Sequence, residues 1–142
     1  MKVSTWDQKL NAYIESKRHE PFAWATNDCV AFVQGAAEAQ LGTNPFDGLI
    51  PSYTDYKTAV RQYSYVKNSN SAWYDLLNDV FTRHHGLLPP RGSIVAKEVS
   101  NPAVRALGVG LGVVLDTRAA FVGDDGLVFV KVSKDDPAWV VE

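Results

Sequence analysis

The change of texture at Pro89-Pro90 constrains this chain more than any other feature. Before it, apolar residues recur every three or four positions; after it, glycines and β-branched residues replace that spacing. A sequence that writes helices first and strands afterwards predicts an α+β fold, with helices packed on a mostly antiparallel sheet. The 142 residues are enough for one domain and too few for two of ordinary size. A helical part over about 5–86 and a sheet part over about 91–142 are therefore assigned to a single domain spanning residues 1–142.

Within the helical part, Trp6, Leu10, Tyr13, Ile14 and Lys17 fall at helical spacing. They predict a helix over 5–18, with the Lys17 stem lying along its apolar face and Pro21 closing the segment. A second helix is expected from about Cys29 to Gln40, with Asn27 or Asp28 capping its free amides and Gly42 stopping it. Val30, Val33, Ala36, Ala37 and Leu41 make one face, and Gly35 among the alanines predicts a close neighbour. The stretch from Asn44 to Tyr53, with two prolines and a glycine, reads as a loop. A third helix is expected over about Tyr53 to Tyr63, and Lys67–Ser71 is a polar break. Ser71 then caps a fourth helix, with Trp73, Leu76, Leu77, Val80 and Phe81 inward and an end near Gly86. Strands follow at about 93–98, 107–115, 118–122, 126–132 and 138–141, with Gly123–Gly126 as a hairpin turn. There is no internal repeat and no low-complexity segment.

Composition removes several function classes. A hydrophobic fraction of 46% and a charged fraction of 21% suit neither a disordered nor a membrane chain. Fourteen basic against sixteen acidic residues, without a block of either sign, make nucleic acid or an anionic membrane an unsuitable main partner. Asp7, Lys9 and Glu15 interrupt the stretch where a signal peptide would be apolar, so no export signal is expected. The longest apolar run, Ala106–Leu115, is about half of a membrane-spanning helix and reads as a buried strand, so no membrane insertion is expected. One cysteine precludes an internal disulfide, and three histidines without Cys-x-x-Cys give no zinc signature. No metal or cofactor is expected.

Any special chemistry then rests on Cys29. The first turn of a helix favours a thiolate, as a nucleophile requires, whereas cysteine is also among the most often buried residue types. Placement alone leaves both readings open.

Phe22, Trp24, Asp28, Cys29 and Phe32 spell F-x-W-x-x-x-D-C-x-x-F. This resembles the nucleophile segment of the NlpC-type, papain-like cell-wall cysteine peptidases. Arg91–Ala96, with Gly92, is similar to that family's Gly-Asp strand, and Leu107–Leu115 is similar to the strand that carries its general base. The chain is also similar to small proteins of this fold encoded among phage tail genes. The likeness lies in Trp6 with Leu10, Trp24–Cys29, Gly42–Pro45, Arg91–Val95, "ALGV" at 106–109, "AAFVGDDGL" at 119–127 and "AWVV" at 138–141. The resemblance implies a papain-like α+β fold with Cys29 at the nucleophile position.

The catalytic pattern is incomplete. Thiol catalysis needs a base and a polar group to orient it. In the resemblance the histidine falls on Leu107 or Gly108, and the third polar position falls near Arg118, a cation. The glycine after the motif tryptophan is Ala25, and the aspartate of Gly-Asp is Ser93. His84 and His85 are substitute bases by composition, yet their expected place at the end of the fourth helix also suits a structural histidine, as does that of His19 after the first. Trp6, Trp24, Trp73 and Trp139 read as core or interface anchors, and Tyr53, Tyr56 and Tyr63 as one side of a docking face if exposed.

The expected function is a structural or assembly component of a phage tail, at the tip or baseplate, in the virion and, during assembly, in the host cytoplasm. It would act through contacts with other tail proteins. The alternatives are an active peptidoglycan-cleaving cysteine peptidase or amidase using Cys29, and a module that binds peptidoglycan or an acyl group without cleaving it.

Overall fold

A computed structural model describes residues 1–49, 72–97 and 110–142. Among them lie three helices, α1 (Trp6–Lys17), α2 (Cys29–Leu41) and α3 (Ala72–Val80). Six strands follow: β1 (Thr82–His84), β2 (Ile94–Lys97), β3 (Gly110–Val114), β4 (Arg118–Gly123), β5 (Gly126–Lys131) and β6 (Ala138–Val140). They form one antiparallel sheet in the order β1-β6-β2-β3-β4-β5, so the fold is α+β. The helix expected at 53–63, with Tyr53, Tyr56 and Tyr63, lies outside the described residues, as do Leu107 and Gly108.

The first two helices follow their apolar spacing. In α1, Leu10 and Ile14 are buried, and Lys17 extends toward Glu20 with its Nζ 5.9 Å from the Tyr13 ring. In α2, Asp28 supplies the N-cap by accepting from the Ala31 amide. Gly42 closes the helix in the left-handed region at φ 81, where its amide donates to the Glu38 carbonyl and where a side chain would be strained. The two helices touch closely at Gly35, where a Cβ would come within 2.5 Å of Tyr13 Cζ; the Tyr13 hydroxyl donates to the Phe32 carbonyl at 2.8 Å.

One row of the sheet register, Trp139, Ile94, Val113, Ala120 and Phe129, faces the helices. It shares a core with Leu10, Ile14, Val30, Phe32, Val33, Leu76 and Leu77. Full burial of a side chain such as Leu10 stabilises by ~1.5–3 kcal/mol before conformational entropy is charged. The opposite pleat holds a smaller buried cluster of Val95, Val114, Ala119, Phe121, Val132 and Ala138. The alternation along β2 and β3 thus buries both faces.

The fourth expected helix is shorter than its periodicity predicts. It ends at Val80 and not near Gly86, because Thr82–His84 pairs with Ala138–Val140 as the outer strand of the sheet. Arg83 then lies over the Trp139 ring at 5.1 Å and the Tyr74 ring at 5.8 Å, an arrangement that a continued helix would break. His84 and His85 are accordingly not at a helix C-terminus, and His84 belongs to β1. Within the described residues the other five strands fall where expected, residues 98 and 107–109 of two of them lying outside, and the turn between β4 and β5 comprises Asp124 and Asp125, closed by the Gly123–Gly126 pair.

Candidate functional site

The segment before α2 is an antiparallel bridge that turns on a strained residue. Ala23 and Asn27 exchange backbone hydrogen bonds at 3.2 and 2.8 Å, and Ala25 between them has φ 67. Asp28 ties the turn to the helix: one carboxylate oxygen accepts from the Ala25 amide and the other from Ala31, both at 2.8 Å. The buried Asn27 side-chain amide donates to the Glu20 and Pro21 carbonyls, and the Phe22 amide donates to Gly123. Phe22 and Trp24 pack edge to face, 5.0 Å between centroids. Phe32, one turn into α2, is fully buried. The motif residues Phe22, Trp24, Asp28, Cys29 and Phe32 therefore build one compact corner at the head of α2.

Cys29 is the first residue of α2 and is 4% exposed. Two opposing effects act on its thiol. The backbone amides of Leu111, Cys29 and Val30 favour the thiolate, while burial and the neighbouring Asp28 carboxylate oppose it. Burial is the largest effect, and the thiol is pushed up to about 12. The helix N-terminus is thus present but outweighed. A crevice lined by Val30, Val33, Gln34, Phe46, Leu76, Leu77 and Leu111 is too narrow to hold a water, and Cys29 is not among its lining residues.

The sheet order keeps His84 away from this thiol. Leu111 lies in β3, whereas His84 lies in β1, with β6 and β2 between them. Three interstrand steps of ~4.8 Å separate the two strands by ~14 Å. His84 Nε2 is instead 3.0 Å from the Leu87 carbonyl, and His85 and His19 are exposed. Arg118 opens β4 on the surface. Gly92 and Ser93 lead into β2, where Gly92 meets the buried Gln40: its carbonyl accepts from Gln40 Nε2 at 3.0 Å. Among the described residues no three His, Cys, Asp or Glu side chains converge as a metal site, and no helix is long and apolar enough to cross a membrane.

A second concavity lies at the far end of α1, a groove of about 260 Å³ lined by Arg18, Leu115, Asp116, Arg118 and Phe129. Sequence reasoning passed over it because its residues come from three separate segments. The β4–β5 register, which pairs Ala120 with Phe129 and so sets Arg118 and Phe129 on one face, brings them together.

The described residues thus define an α+β protein whose central helix begins at a capped, buried cysteine. The chain belongs to the DUF6950 family, a domain of unknown function, whose model matches residues 1–141. No curated protein and no solved structure matches it.

Proposed function

We propose that this protein is a structural or assembly component of a phage tail, at the tip or baseplate. In this reading it is a papain-like, NlpC-type fold whose catalytic centre has degenerated and which acts through contacts with other tail proteins. The observation that carries the loss of catalysis is the state of Cys29, sealed at 4% exposure with its thiol pushed up to about 12. Such a thiol is protonated at neutral pH and needs a base to become a nucleophile. His84, three strands away and turned onto Leu87, is not placed to be that base. The tail assignment is supported by the sequence likeness carried by Trp24–Cys29, Arg91–Val95 and "AAFVGDDGL".

Two experiments test the two halves. Purified protein is incubated with peptidoglycan, and released muropeptides are sought by mass spectrometry with Cys29→Ala as control; none are expected. Products that disappear in Cys29→Ala would establish the hydrolase reading instead. Immunogold labelling of phage particles and of assembly intermediates tests the tail. Label at the tip of either is expected, and label on neither would refute the assignment.

A further inference from the structure

The groove at the end of α1 has the composition of a carboxylate site. It is lined by the apolar side chains of Leu115 and Phe129, by two guanidinium groups, Arg18 and Arg118, and by the single carboxylate of Asp116. At about 260 Å³ it falls just below the ~300–1,000 Å³ of pockets that enclose drug-sized molecules, so it suits the end of a chain and not a whole cofactor.

The two arginines differ in what they already hold. Arg18 is forked onto Glu15, its Nη2 2.8 Å from Oε1, and its guanidinium lies 5.3 Å from the Phe129 ring centre. Arg118 has no side-chain partner among the described residues. Its backbone is nevertheless fixed: the Arg118 amide donates to Asp116 Oδ1 at 2.8 Å, and its carbonyl accepts from the Leu115 amide at 3.0 Å. Directly across the β4–β5 ladder from Arg118 stands Lys131, another cation on the same face. Like charges placed opposite each other destabilise a sheet, and an anion held beside them relieves the repulsion.

We infer that this groove binds the carboxylate end of a peptide segment. Arg118 takes the carboxylate in a two-pronged contact of the kind a guanidinium makes with planar anions. The terminal side chain lies against Leu115 and Phe129, and Asp116 Oδ2, whose partner oxygen already accepts from the Arg118 amide, is an acceptor for the last amide N–H. Glu15 competes for Arg18, and because that ion pair is exposed it is a weak competitor. The inference is independent of the phage reading, since the groove shares no residue with the corner that holds Cys29.

The test is a titration of isotopically labelled protein followed by NMR, with N-acetylleucine, N-acetylleucinamide and inorganic phosphate as probes. N-acetylleucine is expected to shift the Leu115, Arg118 and Phe129 signals saturably, with the amide and phosphate each weaker by about tenfold or more. Arg118→Gln should lose the binding without a fall in Tm, because it also removes the like-charge contact. Glu15→Gln should strengthen binding by freeing Arg18. Equal binding of the amide, phosphate matching the carboxylate, no saturable shift, or unchanged affinity in Arg118→Gln would each overturn the assignment.

Discussion

Treating the native protein with an aromatic disulfide reagent, and following thiol release with time, reads the state of Cys29 directly. At about pH 8 a thiol that ionises at about 12 is thiolate to roughly one part in 10⁴, against roughly a tenth for a cysteine at its ordinary value of 9.0. That deficit is about 1,000-fold, but the more basic thiolate is intrinsically more reactive by roughly 20-fold. Ionisation alone therefore slows Cys29 by about 50-fold relative to a free thiol, and its 4% exposure slows it further. Unfolding in urea removes both effects and should restore the rate of a small-molecule thiol. The native rate should still be climbing at about pH 10, with no plateau. A native thiol that reacts within about fivefold of the unfolded one, or a rate that levels off below about pH 8, would refute the burial argument and mark an activated nucleophile.

Three further outcomes follow from the geometry. Gly92→Ala places a Cβ 2.8 Å from Gln40 Cδ at φ 91, so it should cost roughly 3 kcal/mol in urea denaturation, from left-handed strain plus the displaced amide. In a Gln40→Ala background the same change should cost markedly less, and equal costs would refute the clash. Ala25→Gly should raise Tm by a few degrees, because removing the strain at φ 67 outweighs the added freedom of the unfolded chain by up to about 1 kcal/mol; a lower Tm would contradict it. Stability should fall at alkaline pH. Cys29 and Tyr13 both ionise later in the fold than their ordinary values of 9.0 and 10.0, chiefly through burial, so between those values and the folded ones the unfolded chain releases protons first. For Cys29 the stabilisation is complete below pH 9 and lost toward pH 12, at a cost on the order of 1 kcal/mol per pH unit. Urea denaturation of Cys29→Ala should show a flatter alkaline limb than wild type, and parallel limbs would refute the linkage.

The elements that local chemistry specifies were legible in the sequence. Helix α2 begins and ends where Asp28 and Gly42 place it, and the β4–β5 turn sits on its two glycines. Strand β1 was not legible, because Thr82–His84 is too short to display alternation and follows Val80 and Phe81 without a breaking residue. What makes it a strand is a partner more than fifty residues later in the chain. The same distinction governs the site. That Cys29 heads a helix follows from its neighbours, whereas its burial depends on β3, whose Leu111 amide reaches the thiol. The capping residue itself moves the balance, since Asp28 adds a negative charge beside the sulfur. A motif of residue types thus fixes where the thiol sits, and the packing around it fixes its protonation.

Strand β6 stands between β1 and β2, with Trp139 paired to Arg83 on one side and Ile94 on the other. Its position sets an order on synthesis. A nascent chain that has not yet emerged through Val140 leaves β1 with no neighbour and β2 with an open edge. The helices are written much earlier, and they must wait with the inner face of the sheet incomplete, including the Trp139 ring that Tyr74 and Arg83 cover. Joining strands so distant in sequence is slow compared with helix formation. The interval between translating α3 and translating β6 is therefore when this chain most needs protection from association with other chains.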